Sequence, residues 1–179
     1  MIDSILAPDL SDPALVLPPL VAERLTDGAA VDAFIDRVFG PGRYAKTAER
    51  LREGNTPLLS LSFTCRRDGA LIGCVRQWPI LIGEAPAIFL GPFAVDPDER
   101  SLGLGAALVE RACEAARARG HGLVLLIGAA DYFSRLGFEG VPVGRLVMPG
   151  PIDPRRLLWR ALTPGASDGL AGAVRIPPR

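Results

Sequence analysis

The sequence predicts one α/β (α+β) domain, a mixed central sheet of about six to seven strands flanked by about four helices, with a parallel β-α-β crossover. Three observations predict it. At 179 residues, 49% hydrophobic and 22% charged, the chain is long enough for one buried core and short for two domains. Two β-rich runs, 58–65 and 70–78, flank Arg67-Asp68-Gly69-Ala70. Its central Asp-Gly is a two-residue hairpin turn. Finally, Leu123-Val-Leu-Leu-Ile127 is apolar at every position after a helical run, as a strand covered on both faces must be.

The elements follow in order. A short apolar stretch near Leu20 reads as a strand, and Thr26-Asp27-Gly28 is a turn and N-cap signal before a helix over 29–39. There Val31, Phe34, Ile35 and Val38 recur at helical spacing. Pro41-Gly42 stops that helix, and Arg43 to Glu53 reads as a second one closed by Gly54. A turn at Gly83-Glu84 adds a third meander strand, 87–95, which Asp96-Pro97 ends. The helix over 103–119 and the strand over 123–127 then complete a right-handed crossover. Asp131 to Leu136 is a short helix, and Arg145 to Met148 with Leu157 to Leu162 supply two final strands. The organisation expected is a Pro-rich extension over 1–19, the domain over 20–163, and a Gly- and Pro-rich, loosely held tail over 164–179.

Charge and cysteine usage narrow the function. Twenty basic residues balance twenty acidic ones, which leaves no net field to hold nucleic acid. A small-molecule or neutral-surface partner fits better. Cys65, Cys74 and Cys113 form no C-x-x-C pair and have no neighbouring His, so they read as reduced thiols with no metal site. The first twenty residues place acids where a secretory signal needs basic residues, and no apolar run approaches the roughly 18 residues of a membrane helix. A cytoplasmic protein without membrane association is expected.

The chemistry concentrates at Asp96-Pro-Asp-Glu-Arg100-Ser-Leu-Gly103-Leu-Gly105-Ala106. With 20 glycines in 179 residues about two G-x-G triplets arise by chance, and three occur, at 40–42, 103–105 and 120–122. Only Gly103-Leu104-Gly105 follows a strand and opens a helix, where unpaired N–H groups and the helix dipole face an incoming anion. Arg100 can add a charge-assisted bond to the same anion. The plain alternative is a helix start whose glycines serve packing.

Element order and motif wording from about Leu20 to Leu162 resemble the GNAT acetyltransferases. Arg100-Ser-Leu-Gly103-Leu-Gly105 matches the family pattern of Arg or Gln, two residues, Gly, one residue, Gly or Ala. Leu90-Gly-Pro-Phe-Ala-Val95 resembles the fourth strand of that family, and Tyr132-Phe-Ser-Arg-Leu-Gly-Phe138 its late helix and turn. Gly40-Pro-Gly-Arg-Tyr-Ala-Lys-Thr-Ala48 is similar to a bacterial subgroup of uncharacterised predicted acetyltransferases.

The resemblance implies acetyl-CoA as cosubstrate and an amine-bearing small molecule or peptide as acceptor. It implies a coenzyme site made of Phe93, Ala94, Val95, Arg100, Ser101, Leu102, Gly103, Leu104, Gly105, Ala106 and Phe133. The backbone of Phe93 to Val95 would pair with the pantetheine arm, and the amides from Leu102 to Ala106 would hold the pyrophosphate. A homodimer is compatible with all of this.

For catalysis, many members of that family use a water-relayed carboxylate as base and a tyrosine as acid. Phe133 occupies the tyrosine position, four residues before Gly137. Adjacent Tyr132 is the candidate acid, though neighbours on a helix point about 100° apart. No ionisable side chain lies in 85–95, and Glu84 reads as a solvated turn residue. Asp131 is the candidate base, or else a plain helix N-cap. His121 reads as a surface residue, and Trp78 and Trp159 as core. Arg43, Lys46 and Arg50 would share a helix face that is either solvated or borders an acceptor channel. A second functional class also remains, a non-catalytic acyl-CoA-binding module that has lost its acid and base.

Overall fold

The computed structural model describes residues 17–100 and 103–178. Its strands are β1 (Leu20–Ala22), β2 (Phe63–Arg67), β3 (Ala70–Ile82), β4 (Ala85–Val95), β5 (Leu123–Ile127), β6 (Glu139–Gly140), β7 (Leu146–Val147), β8 (Leu157–Ala161) and β9 (Gly172–Arg175). The helices are α1 (Gly28–Phe39), α2 (Thr47–Arg50), α3 (Leu104–Ala118) and α4 (Ala130–Phe133). The sheet order is β1-β2-β3-β4-β5-β8-β6, and β9 joins β3 and β7. β4 and β5 are parallel neighbours linked through α3, and the remaining pairs along that order are antiparallel.

Three expectations are corrected. The sheet has more strands than six to seven, because the two-residue β6 and the tail strand β9 carry no readable alternation. The tail from Pro164 was expected to be loosely held, yet β9 pairs Arg175 with Leu81 and Val174 with Ile82, and Val174 is buried. The helix expected over Arg43 to Glu53 is instead a 3-10 turn over Pro41–Ala45 and the single turn α2, because Lys46 between them is extended at φ −82°, ψ 147°.

The core has two sides, as alternation along the strands requires. Leu104, Leu108, Val109 and Ala112 of α3 pack with Phe63, Val75, Ile88 and Leu90. On the opposite face Val31, Phe34 and Ile35 of α1 meet Cys74 and Ala94, while Trp78, Phe89, Leu125 and Trp159 form a further cluster. A Cβ on Gly73 would lie 2.9 Å from Leu108 Cδ1 and 3.1 Å from Leu104 Cδ2, so a side chain there would force these two leucines of α3 to shift against β3.

Arg76 ties the first segment to the sheet. Its guanidinium reaches Glu23 with Nε at 2.9 and 3.0 Å and Asp32 with Nη1 at 2.6 Å. Glu23 is 4% exposed, so the pair is buried and fully engaged.

All three cysteines are free and buried. Burial pushes the thiols of Cys74 and Cys113 up to about 12 and also raises Cys65. Thiol titration of the native protein near pH 8 is therefore expected to be slow, and titration after denaturation without reductant to find all three. Recovery of a single thiol would contradict this.

Candidate active site

The site begins where β4 leaves β5. The two strands are in register at Ile88 with Val124 and Phe89 with Leu125. Past that point β4 continues to Val95 while β5 ends at Ile127, so the strands splay apart.

A bulge in β4 coincides with the splay. Val75 pairs with Phe93 and Gln77 with Leu90, so Arg76 alone opposes Gly91 and Pro92. Such an extra residue bends the strand that carries it and re-aims the backbone beyond it. The Gly91 carbonyl is taken by Trp78, whose Nε1 donates at 2.6 Å.

Beyond the bulge the ladder fixes which amides remain free. Asp96 N donates to Ile72 O at 2.8 Å, so in an antiparallel ladder Ala94 likewise turns its polar groups to β3. Phe93 and Val95 turn theirs to the open edge. The expected run of three residues is thus divided, with two backbones facing the splay and Ala94 facing away.

The same edge leads to the start of α3. Gly103 caps the helix at φ 79°, ψ 0°, a left-handed conformation, and carries no side chain to bond the first amides. The first bond back to it comes from Ala107 N, at 3.0 Å. Two of the nearby acids are already engaged, Asp96 by Arg37 at 3.1 Å and Glu99 by Arg67 at 3.0 Å. Arg100 is exposed and has no carboxylate partner among the described residues. Ser101 and Leu102 lie outside the described residues.

Gly105 is a glycine for a different reason. A Cβ there would meet Tyr132 Oη at 2.6 Å and Phe93 Cζ at 3.0 Å. Tyr132, 38% exposed, stacks on Phe93 with centroids 6.1 Å apart. Its hydroxyl therefore reaches across the splay to the first turn of α3, and burial raises its pKa.

Phe133 faces the other way and lies in the core at 7% exposure, edge-on to Tyr132, Phe93 and Phe138 at 5.0, 6.0 and 5.7 Å. A Cβ on Gly128 would lie 2.3 Å from its ring, so the residue that follows β5 must be this small. Phe93 and Phe133 both line a cavity of about 480 Å³ at the mouth of the splay.

The cavity wall is cationic. Arg43, Lys46, Arg52 and Arg156 line it against the single carboxylate of Asp153. Hydrogen bonds from Arg155 hold that carboxylate below the usual range. Arg43 and Lys46 thus border the cavity as the sequence allowed, but Arg50 turns away and donates to Pro149 O at 2.6 Å. Arg52 and Arg156 were not singled out in the sequence. They reach the cavity from a turn and a three-residue 3-10 turn, Pro154–Arg156, with no periodicity to announce them.

The expected catalytic pair, Asp131 and Tyr132, sits side by side on α4. Asp131 is exposed, and neither it nor Tyr132 lines the cavity. His121 and Glu84 are likewise away from it, and Glu84 pairs with Arg175 at 2.6 Å. Among the described residues no group of three His, Cys, Asp or Glu is placed to hold a metal ion, and no helix is long and apolar enough to cross a membrane.

Residues 31–138 match the family model for the Acetyltransferase (GNAT) family. An uncharacterized N-acetyltransferase of Methanocaldococcus jannaschii is 35% identical over 86 residues, 43% of this chain but only 38% of that protein's length. The uncharacterized N-acetyltransferase YhbS of Escherichia coli K12 is 31% identical over 115 residues, 63% of this chain and 68% of its own. A crystal structure of E. coli YhbS in complex with CoA superposes with a TM-score of 0.77 at 26% identity, covering 90% of this chain and 91% of that one. A GNAT family acetyltransferase from Brucella melitensis in complex with acetyl-CoA has a TM-score of 0.54 at 24% identity, covering 84% and 97%.

Proposed function

The chain belongs to the GNAT acetyltransferase family, and from that premise we propose that it transfers an acetyl or similarly short acyl group from acetyl-CoA to the primary amine of a small molecule. The observation that carries this reading is the continuity of the splay. The free backbone edge of Phe93 and Val95 runs from the uncapped start of α3 to the cavity where β4 and β5 part. A strand-like pantetheine arm along that edge would deliver a thioester to the cavity, with the pyrophosphate on the amides of Gly103 to Ala106 and on Arg100.

In this reading the protein contributes mainly position and field. Holding amine and thioester together is worth a large part of the barrier on its own. The acceptor must attack as the neutral amine, and a wall with four cations and one carboxylate disfavours its protonated form. Tyr132, raised by burial, and Asp153, lowered by Arg155, keep their charge states between about pH 6 and 9. The rate is therefore expected to rise with pH along one ionisation, and that ionisation to move with the pKa of the amine supplied.

Thiol release from acetyl-CoA over a panel of amines, beside calorimetric binding of acetyl-CoA, tests both points. Binding without release for every amine would sink the transferase reading. A pH midpoint that stays fixed as the amine is changed would assign the titration to the protein instead.

A further inference from the structure

We propose that the acceptor carries a carboxylate besides its amine, and that Arg52 holds this carboxylate at the cavity wall with Lys46 and Arg156 beside it. The proposal rests on the acetyltransferase reading above and names its substrate class.

Arg52 is a buried cation that the protein leaves incompletely satisfied. Its side chain is 11% exposed, and its one carboxylate contact is Nη1 to Glu49 Oε2 at 3.2 Å. Glu49 also lies 3.9 Å from Arg43 Nη1, so one carboxylate faces two guanidinium groups. Arg52 Nε is buried with no partner among the described residues. Nη2 lies 3.3 Å from the point a Cβ on Gly91 would occupy, which puts the guanidinium against the bulge where the splay opens. Burial lowers this arginine to about 10. An under-bonded buried charge costs free energy in the free protein, and a carboxylate arriving from the cavity gives the guanidinium a second acceptor on its Nη2 side, against the bulge.

The surrounding charges point the same way. Arg43 is cancelled by Asp36 at 2.6 Å, Arg52 by Glu49, and Arg155 by Asp153 at 2.9 Å. Lys46 and Arg156, both on the cavity wall, are left over. Among the described residues Lys46 contacts the ring of Phe39, at 5.8 Å, and Arg156 bonds Gly128 O, at 3.5 Å, with Asp153, already held by Arg155, the carboxylate in its field. A diamine would bring a second cation into this field. A carboxylate neutralises it, and the planar guanidinium suits that group's geometry.

Matched amines test the proposal: 4-aminobutyrate, n-butylamine, 1,4-diaminobutane and 3-aminopropylphosphonate, titrated calorimetrically into the CoA-saturated protein and assayed by thiol release. We expect 4-aminobutyrate to bind at least tenfold more tightly than the other three. Arg52→Met should remove that preference without changing CoA affinity, while lowering the thermal midpoint, since it leaves the half-buried Glu49 with only Arg43 at 3.9 Å. Arg52→Lys should recover part of it. Should Arg52→Met fail to fold, the double variant Lys46→Gln, Arg156→Gln, which alters exposed side chains, should still reduce 4-aminobutyrate binding several-fold. Equal or tighter binding of the neutral, dicationic or phosphonate amine, a preference that survives Arg52→Met, or no binding of 4-aminobutyrate overturns the proposal. Binding of 4-aminobutyrate through Arg52 with no thiol release for any amine would instead overturn the transferase reading alone.

Discussion

Gly105→Val is expected to lower acetyl-CoA affinity at least a hundredfold, about 2.7 kcal/mol, in a protein that still folds. The β-carbon would fall 2.6 Å from Tyr132 Oη, 3.0 Å from Phe93 Cζ and 3.6 Å from Val95 Cγ2. Two γ-methyls would then fill the gap between α3 and β4 that a pantetheine arm must enter. Tyr132 is partly exposed and can swing outward, but Phe93 stands on the edge that the arm would pair with, so the channel cannot open to both. Gly105→Ala should cost less, and Tyr132→Ala added to it should recover affinity, because the two groups compete for one space. Gly103→Ala has open space around it and pays only for its positive φ, about 1 kcal/mol. Calorimetry on the four variants, with circular dichroism to check folding, decides the matter. Unchanged affinity in folded Gly105→Val would mean that the coenzyme lies elsewhere.

That contrast shows what the residues could and could not say. Both glycines of the triplet read alike in the sequence, as absent β-carbons beside a phosphate. In the fold Gly103 is required by its φ and Gly105 by Tyr132 and Phe93. The reason for Gly105 lies on α4, and no local pattern connects residues that far apart in the chain.

The sheet was legible where its signals are local. The Asp68-Gly69 turn has φ of 50° and 81°, as a two-residue hairpin requires, and β5 spans Leu123–Ile127 as its unbroken apolar run predicts. The long helix α3 and the short α4 also fall where periodicity and Gly punctuation put them. β9 escaped because glycine and proline dominate its neighbourhood, and its partner strand lies about ninety residues away in sequence. The segment 43–53 failed for the opposite reason. Its charges fall at helical spacing, but Arg43 bonds Asp36 and Arg50 bonds Pro149 O, and these tertiary partners override a weak propensity. The cationic wall depends on those same partners. It becomes visible only once the loop carrying Asp153 and Arg156 is folded against the segment carrying Lys46 and Arg52.

The second large effect concerns the acid. Phe133→Tyr is expected to raise the turnover of a detectable activity, by up to about a hundredfold, the lower end of what a general acid contributes. Phe133 is the aromatic residue of α4 that lines the cavity, whereas the Tyr132 hydroxyl is drawn to the start of α3. A departing thiolate resembles that of cysteine, with a pKa of about 8.5, so it leaves slowly without a proton donor rather than not at all. A phenol on the cavity wall would supply that proton, and its own hydroxyl would find a partner in the reacting sulfur or in water. Tyr132→Phe should change turnover less than threefold by the same argument, since the hydroxyl it removes has no hydrogen-bond partner among the described residues and stands over the cradle. Steady-state rates at saturating acetyl-CoA, with the coenzyme affinity of each variant measured separately, distinguish chemistry from binding. If Tyr132→Phe abolished turnover while binding stayed intact, and Phe133→Tyr gained nothing, the proton would come from Tyr132. Its ring would then have to leave Phe93 and turn into the cavity once the thioester is bound.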